Sequence, residues 1–163
     1  MRRFLIDSDG NRYKIRVVKN PDDTIHWEIR FGRDFVGLAT WTMLQADVME
    51  LNDVLIRDDY DEVGMSIIER MAQEQAKSNS KKKDFRNKGL GTELLKSLVE
   101  YALENDVKQI CGSIVRLDII RKPNLIEWYE KRGFRTGPPY PGCIKEAVAW
   151  IYRDLNHSKS ERQ

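Results

Sequence analysis

DFRNKGLGTELL, Asp84–Leu95, sets a basic, glycine-bearing turn against the start of an unbroken helical pattern. Arg86, Gly89 and Gly91 sit at the mouth of that helix. The first turn of a helix carries backbone N–H groups that have no intrahelical acceptor. The helix dipole adds partial positive charge at the same end, and phosphate binds such places. Two glycines let a ligand approach the backbone without meeting a Cβ, and Arg86 and Lys88 add charge. A Gly-x-Gly at a helix start also occurs in ordinary loops, so its meaning depends on what surrounds it.

Downstream, Leu90, Leu94, Leu95, Leu98, Val99, Ala102 and Leu103 form one wide stripe, which predicts a helix over Gly91–Asn105. Val107–Val115 then reads as a strand. A strand–loop–helix–strand order with a continuous apolar stripe implies a right-handed crossover between parallel strands. Pro123 precedes a short helix, Asn124–Lys131, closed by Gly133. Phe134–Thr136 begins a strand, Gly137–Gly142 is a proline-rich rigid loop, and Ala147–Leu155 is a last strand. Asn156–Gln163 is a polar tail, expected to be disordered.

Upstream, residues 2–43 read as an antiparallel meander with a single buried face. Its strands are Arg3–Ile6, Tyr13–Val18, Ile25–Phe31 and Phe35–Met43. They are joined by turns at Asp7–Asn11, Pro21–Asp23 and Gly32–Asp34. Ile25, Trp27, Ile29 and Phe31 alternate with His26, Glu28 and Arg30, which puts His26 on a solvated polar face. Met49–Ile56 is a further strand, with Glu50 and Asn52 on one face and Leu51, Asp53 and Leu55 on the other. Acidic residues are depleted in strands, so this one is a sheet edge or carries a deliberately placed carboxyl. Asp61–Ala76 has the spacing of an amphipathic helix, and Lys77–Lys83 reads as a solvated basic linker. The other reading gives some of those lysines to the phosphate site.

The 163 residues suffice for one domain that buries about 70% of its unfolded surface. A net charge of +2 gives no whole-protein field favouring nucleic acid, and no apolar run approaches the ~20 residues that span a membrane. The N-terminal apolar run is too short for a signal peptide. Cys111 and Cys143 give no disulfide framework and no metal spacing, and His26 and His157 are too isolated for a zinc site. A reduced, cytoplasmic setting and no metal are the expectations.

Two segments combine. Arg86-x-x-Gly89-x-Gly91 opens a long helix after a strand, and Trp128-Tyr-Glu-Lys-Arg-Gly-Phe134 follows the next strand. The ordered pair resembles the GCN5-related N-acetyltransferases, the GNAT superfamily, over roughly Met49–Leu155. The resemblance implies an α/β (α+β) fold in one domain over residues 1–155. Its sheet is mixed and mostly antiparallel, with a central parallel, splayed strand pair, flanked by helices. It implies an acetyl-CoA-dependent N-acetyltransferase that transfers acetyl directly to an amine of a small molecule or peptide. The loop Arg86, Asn87, Lys88, Gly89, Leu90, Gly91 and Thr92 would hold the pyrophosphate of acetyl-CoA. The backbone of Val54, Leu55 and Ile56 would pair with the pantetheine arm and supply an oxyanion donor. Asn124 lies near the family's CoA-touching Asn, two residues closer to the Tyr than usual.

Tyr129 matches the family's general acid beside the thioester sulfur; read on its own it is a core aromatic next to Trp128. Glu50 stands where several members place the general base, with Asp53 as competitor. Partial burial suits a carboxyl to that role. Direct transfer needs no nucleophilic side chain, so Cys111 reads as a small core residue. The chain departs from the family pattern twice. No helices fit between Tyr13–Val18 and Ile25–Phe31, and Asp61–Phe85 is inserted before the loop. The inserted helix is expected to help wall the acceptor site, with a mobile lid or a partner-binding element as the alternatives. Two rival readings stand: a non-catalytic GNAT-fold module for acyl-CoA or a partner, and a nucleic-acid patch at Lys77–Lys88. Family members are often homodimers.

Overall fold

The computed structural model describes residues 4–20, 24–56, 85, 87–138 and 146–155. Strand β1 (Phe4–Ile6) and β2 (Arg12–Lys19) form an antiparallel hairpin, with Phe4 opposite Lys14 and Ile6 opposite Arg12. β2 runs antiparallel to β3 (Ile25–Phe31), Val17 facing Trp27. Short turns lead into β4 (Asp34–Gln45) and β5 (Val48–Ile56). Helix α1 (Leu90–Glu104) is followed by β6 (Gln109–Val115), α2 (Arg116–Arg121), α3 (Leu125–Glu130), β7 (Arg135–Gly137) and β8 (Ala147–Asp154). The strands order as β1-β2-β3-β4-β5-β6-β8-β7. β5 and β6 are parallel, whereas β6–β8 and β7–β8 are antiparallel.

Contacts gather the chain into two interleaved units, Met1–Thr40 with Asp53–Leu98 and Trp41–Asn52 with Val99–Gln163. In the first, β2 alternates buried Tyr13 and Ile15 with exposed Arg12, Lys14 and Arg16, the period of a strand with one covered face. Leu90, Leu94, Leu95 and Leu98 of α1 are fully buried there. Each contributes about 1.5–3 kcal/mol by leaving water, so the stripe and not intrinsic propensity holds this helix.

In the second unit, Val99 and Ala102 continue the stripe, and Trp41 packs on Tyr101 with ring centroids 5.6 Å apart. Leu103, expected in the stripe, is only half-buried at its edge. The Asp47 carbonyl accepts the Lys108 and Gln109 N–H groups, which sets the register of β6 against β5. Lys108 Nζ lies 2.8 Å from the Asp47 carboxylate, which lowers the carboxyl's pKa and raises the amine's.

Several expectations change. The meander does not have a single buried face: Val36 through Trp41 are all buried, so β4 is covered on both sides. His26 is buried, not solvated, and the Asn20 side-chain amide meets its Nε2 at the end of β2. The alternation expected along β5 holds to Leu51 and then stops: Asn52 and Asp53 are both exposed, and Val54–Ile56 are all half-buried. The strand expected at Val107 begins at Gln109. Helix α2 is not among the expected elements. The expected helix Asp61–Ala76, the linker Lys77–Lys83, most of the proline-rich loop and the tail lie outside the described residues.

Gly37 lies in the doubly covered stretch of β4. A Cβ there would stand 2.4 Å from the Leu55 carbonyl oxygen and 3.0 Å from the Ile56 side chain. The obstacle is backbone, so it cannot swing aside. Gly37→Ala is expected to destabilise the protein by about 2–3 kcal/mol, the cost of overpacking against an immovable neighbour. Urea denaturation checks this; an unchanged midpoint would contradict the close approach.

Candidate functional site

Chain entry to the glycine turn is fixed by aromatic packing in the first unit. Phe85 is buried, 6.3 Å from Tyr13 in a T-shaped pair and 6.5 Å from Phe31, and Tyr13 and Phe31 are 5.1 Å apart. Arg86 lies outside the described residues. Asn87 and Gly89 then both take left-handed backbone angles, φ 57° and 75°. Glycine adopts that region without strain and Asn tolerates it best among the others. The Gly89 carbonyl accepts the Glu93 N–H at 3.0 Å, which opens α1 at Leu90. Leu90 is buried and anchors the turn, while Asn87 and Gly89 are exposed and Lys88, Gly91 and Thr92 half-buried. An exposed left-handed turn thus runs into the positive end of a helix of 15 residues.

The β1–β2 turn grips this loop. The Ser8 N–H donates to the Lys88 carbonyl at 3.1 Å, and Lys88 Nζ lies 3.0 Å from the Asp9 carboxylate. The turn itself is organised by Asp7, which is buried. Its carboxylate accepts the N–H groups of Asp9 at 2.9 Å and Asn11 at 2.8 Å, the Asn11 amide at 2.9 Å and the Tyr13 hydroxyl at 2.7 Å. Burial pushes the Asp7 pKa up, but these donors outweigh it and hold the carboxyl down at about 2. Burial, then the bond to Asp7, pushes the Tyr13 hydroxyl far above its ordinary range.

Along β5, the parallel ladder covers Val48–Glu50 against Gln109–Cys111. Val54, Leu55 and Ile56 lie past its end, and Gly37 brings the β4 backbone close against Leu55 and Ile56. Glu50, half-buried, is the last rung and faces Cys111. Burial, with the Glu50 charge behind it, pushes the Cys111 thiol up to about 12. The thiol donates to the Met49 carbonyl at 3.5 Å and stays protonated, so Cys111 is a core residue and no nucleophile. Asp53, the alternative carboxyl, is exposed.

In the second unit, Tyr129 is 7% exposed and sits between Trp128, 4.9 Å away, and Phe134, 5.4 Å away, edge-on to both. Its carbonyl accepts the N–H groups of Arg132 and Phe134, closing α3 through Gly133, whose φ is +80°. Arg153 of β8 donates to the Arg132 carbonyl at 2.8 Å, tying that closure to the sheet. Asn124 is exposed at the N-cap of α3, where its carbonyl accepts the Trp128 N–H at 2.9 Å.

The structure therefore runs the left-handed turn Asn87–Gly89 directly into Leu90, Gly91 and Thr92 at the start of α1, and sets Glu50 beside Cys111. Sequence reading missed the grip of Ser8 and Asp9 on Lys88, because the Lys88–Asp9 pair spans 79 residues and the turn had explained itself locally. It also missed Gly37, although an isolated glycine in an apolar strand signals a close approach. Among the described residues, no group of three or more His, Cys, Asp or Glu could hold a metal ion, and no helix is long and apolar enough to cross a membrane.

A family model for the acetyltransferase (GNAT) family matches residues 6–134. The chain belongs to the GNAT acetyltransferase family. Its mixed sheet with one parallel pair is the fold of solved GNAT structures. A Klebsiella pneumoniae protein assigned as an acyl-CoA N-acyltransferase has a TM-score of 0.59 at 15% identity, with 88% of this chain and 97% of that chain covered. A Bacillus subtilis acetyltransferase in complex with CoA gives 0.57 at 12% identity over 88% and 99%. A GNAT acetyltransferase from Elizabethkingia anophelis with acetyl-CoA bound gives 0.55 at 13% identity over 88% and 98%. No curated protein matches this GNAT chain in sequence.

Asp7 makes the turn that grips the loop sensitive to acid. Its folded pKa of about 2 lies below the ordinary 3.8, so the folded state binds fewer protons and stability rises with pH across that window. The contribution is present above the ordinary value and is lost as pH falls through the folded one. The melting-temperature gap between wild type and Asp7→Asn is expected to be full at neutral pH and to shrink as pH falls below the ordinary carboxyl value. A gap independent of pH would contradict the assignment.

Proposed function

We propose that this chain is an acetyl-CoA-dependent N-acetyltransferase that moves acetyl directly from the thioester to an amine. The carrying observation is the preset turn, Asn87 and Gly89 both left-handed, opening the long helix α1 in a chain of the GNAT family. In this reading Arg86, Asn87, Lys88, Gly89, Leu90, Gly91 and Thr92 bind the pyrophosphate, chiefly through main-chain N–H groups. The backbone of Val54–Ile56, past the end of the β5–β6 ladder, takes the pantetheine arm. The bound cofactors of the B. subtilis and E. anophelis proteins support acetyl-CoA as the donor, and Asn124 is a further contact.

Glu50 takes a proton from the acceptor ammonium, so a neutral amine attacks the thioester carbonyl. A backbone N–H of Val54–Ile56 stabilises the developing oxyanion. As the C–N bond forms and the C–S bond breaks, Tyr129 gives its hydroxyl proton to the departing CoA sulfur, and the second proton of the attacking nitrogen is lost to restore the Tyr129 hydroxyl and leave a neutral amide. No acyl-enzyme forms, and no metal takes part. The acceptor is an amine of a small molecule or a peptide.

The burial of Tyr129 between Trp128 and Phe134 favours a second reading, in which Tyr129 is packing and the chain binds acyl-CoA without turnover. CoA release measured across polyamines, aminoglycosides and peptides with free N-termini separates the two. The enzyme reading predicts turnover with at least one acceptor class. It also predicts that Tyr129→Phe and Glu50→Gln each lower kcat by about 10²-fold or more, with KM for acetyl-CoA nearly unchanged. Acetyl-CoA binding with no turnover, or full kcat in both variants, would favour the binding module.

A further inference from the structure

The acidic turn Asp7–Asn11 has no place in the chemistry above, yet it is bonded to the centre of the proposed phosphate loop. Lys88 stands between two left-handed residues, Asn87 and Gly89. Its carbonyl is fixed by the Ser8 N–H at 3.1 Å. In a trans peptide the carbonyl of one residue and the N–H of the next point in opposite directions. Holding the Lys88 carbonyl on the hairpin therefore turns the Gly89 N–H to the side away from the hairpin. A loop with two left-handed residues has other ways to orient that peptide, and this bond selects one.

Acidic residues beside a phosphate site repel the ligand unless their charge is taken up. Here it is. The Asp7 carboxylate is engaged by Asp9, Asn11 and Tyr13 donors, and the exposed Asp9 carboxylate is paired with Lys88. The Asp9–Lys88 pair is exposed and contributes little by itself. The buried Asp7 network is what makes the turn rigid enough to place the Ser8 N–H.

We infer that Asp7 is a positioning residue for acyl-donor binding: through Ser8 it fixes the Lys88–Gly89 peptide so that the Gly89 N–H is aimed for the pyrophosphate before the donor arrives. This rests on the acyl-CoA reading of the loop. Asp7 touches no ligand atom; its effect is confined to the phosphate end of the donor.

The test titrates full-length wild type, Asp7→Asn and Asn11→Ala calorimetrically with CoA and with acetyl-pantetheine, which lacks the pyrophosphate. The quantity read is the ratio of the two affinities, because any loss of folded protein lowers both alike. Asn11→Ala removes the side-chain donor to Asp7 and keeps the turn, so it reads the effect if Asp7→Asn folds poorly. Asp7→Asn is expected to weaken CoA about tenfold, the worth of one charge-assisted hydrogen bond to phosphate, and Asn11→Ala about threefold. Acetyl-pantetheine is expected to bind all three proteins equally. Wild-type preference for CoA with the same ratio in both variants overturns the role of Asp7 alone. Wild type that binds CoA no better than acetyl-pantetheine overturns the phosphate-loop reading and this inference with it.

Discussion

The parallel ladder between β5 and β6 is only three residue pairs long, Val48–Glu50 against Gln109–Cys111. Much else depends on it. A parallel pair cannot be closed by a hairpin, so the chain must travel back through a crossover, and α1 is that crossover. A crossover helix with a buried stripe needs a defined start, which the turn at Asn87–Gly89 supplies. A ladder that stops at Glu50 also leaves Val54–Ile56 outside the β5–β6 pairing. The same constraint thus produces both features that the proposed function uses, a helix N-terminus with its glycine turn and a strand segment past the end of its ladder.

Rigid surroundings hold each feature in place. The turn is anchored by Phe85 in its aromatic cluster, by Leu90 in the core and by Ser8 at the Lys88 carbonyl. The strand segment is pressed against Gly37, where no Cβ can stand. Catalysis and binding by main-chain groups demand this, because a backbone N–H is useful only when its direction is fixed beforehand. The carboxylates of Asp7 and Asp9 look misplaced beside the proposed anion site until their partners are counted. Each is engaged by donors from its own turn or from the loop it grips.

Much of this was legible in the residues. The stripe from Leu90 to Ala102 forces a helix, Gly89 and Gly91 mark the turn at its mouth, and the Arg-x-x-Gly-x-Gly and Tyr-Glu-Lys-Arg-Gly-Phe segments point to the family. The failures have physical causes. His26 alternates with apolar neighbours, but alternation predicts a solvated face only where that face is uncovered, and here it is buried with Asn20 at its Nε2. Helix α2 is six residues long with Leu117 and Ile120 exposed, so it has no stripe to read. Its start is set by the Asp118 carboxylate accepting the Val115 N–H at 3.0 Å. The bond from Ser8 to Lys88 joins distant parts of the chain, and no local pattern encodes it.

In the proposed function, main-chain N–H groups of the glycine turn bind the donor's pyrophosphate. Amide chemical shifts of the isotope-labelled protein test it most directly. CoA is predicted to move the amide signals of Gly89, Leu90, Gly91 and Thr92 strongly, and acetyl-pantetheine to leave them in place while it perturbs Val54–Ile56. Binding of CoA with those four amides unmoved would contradict the account.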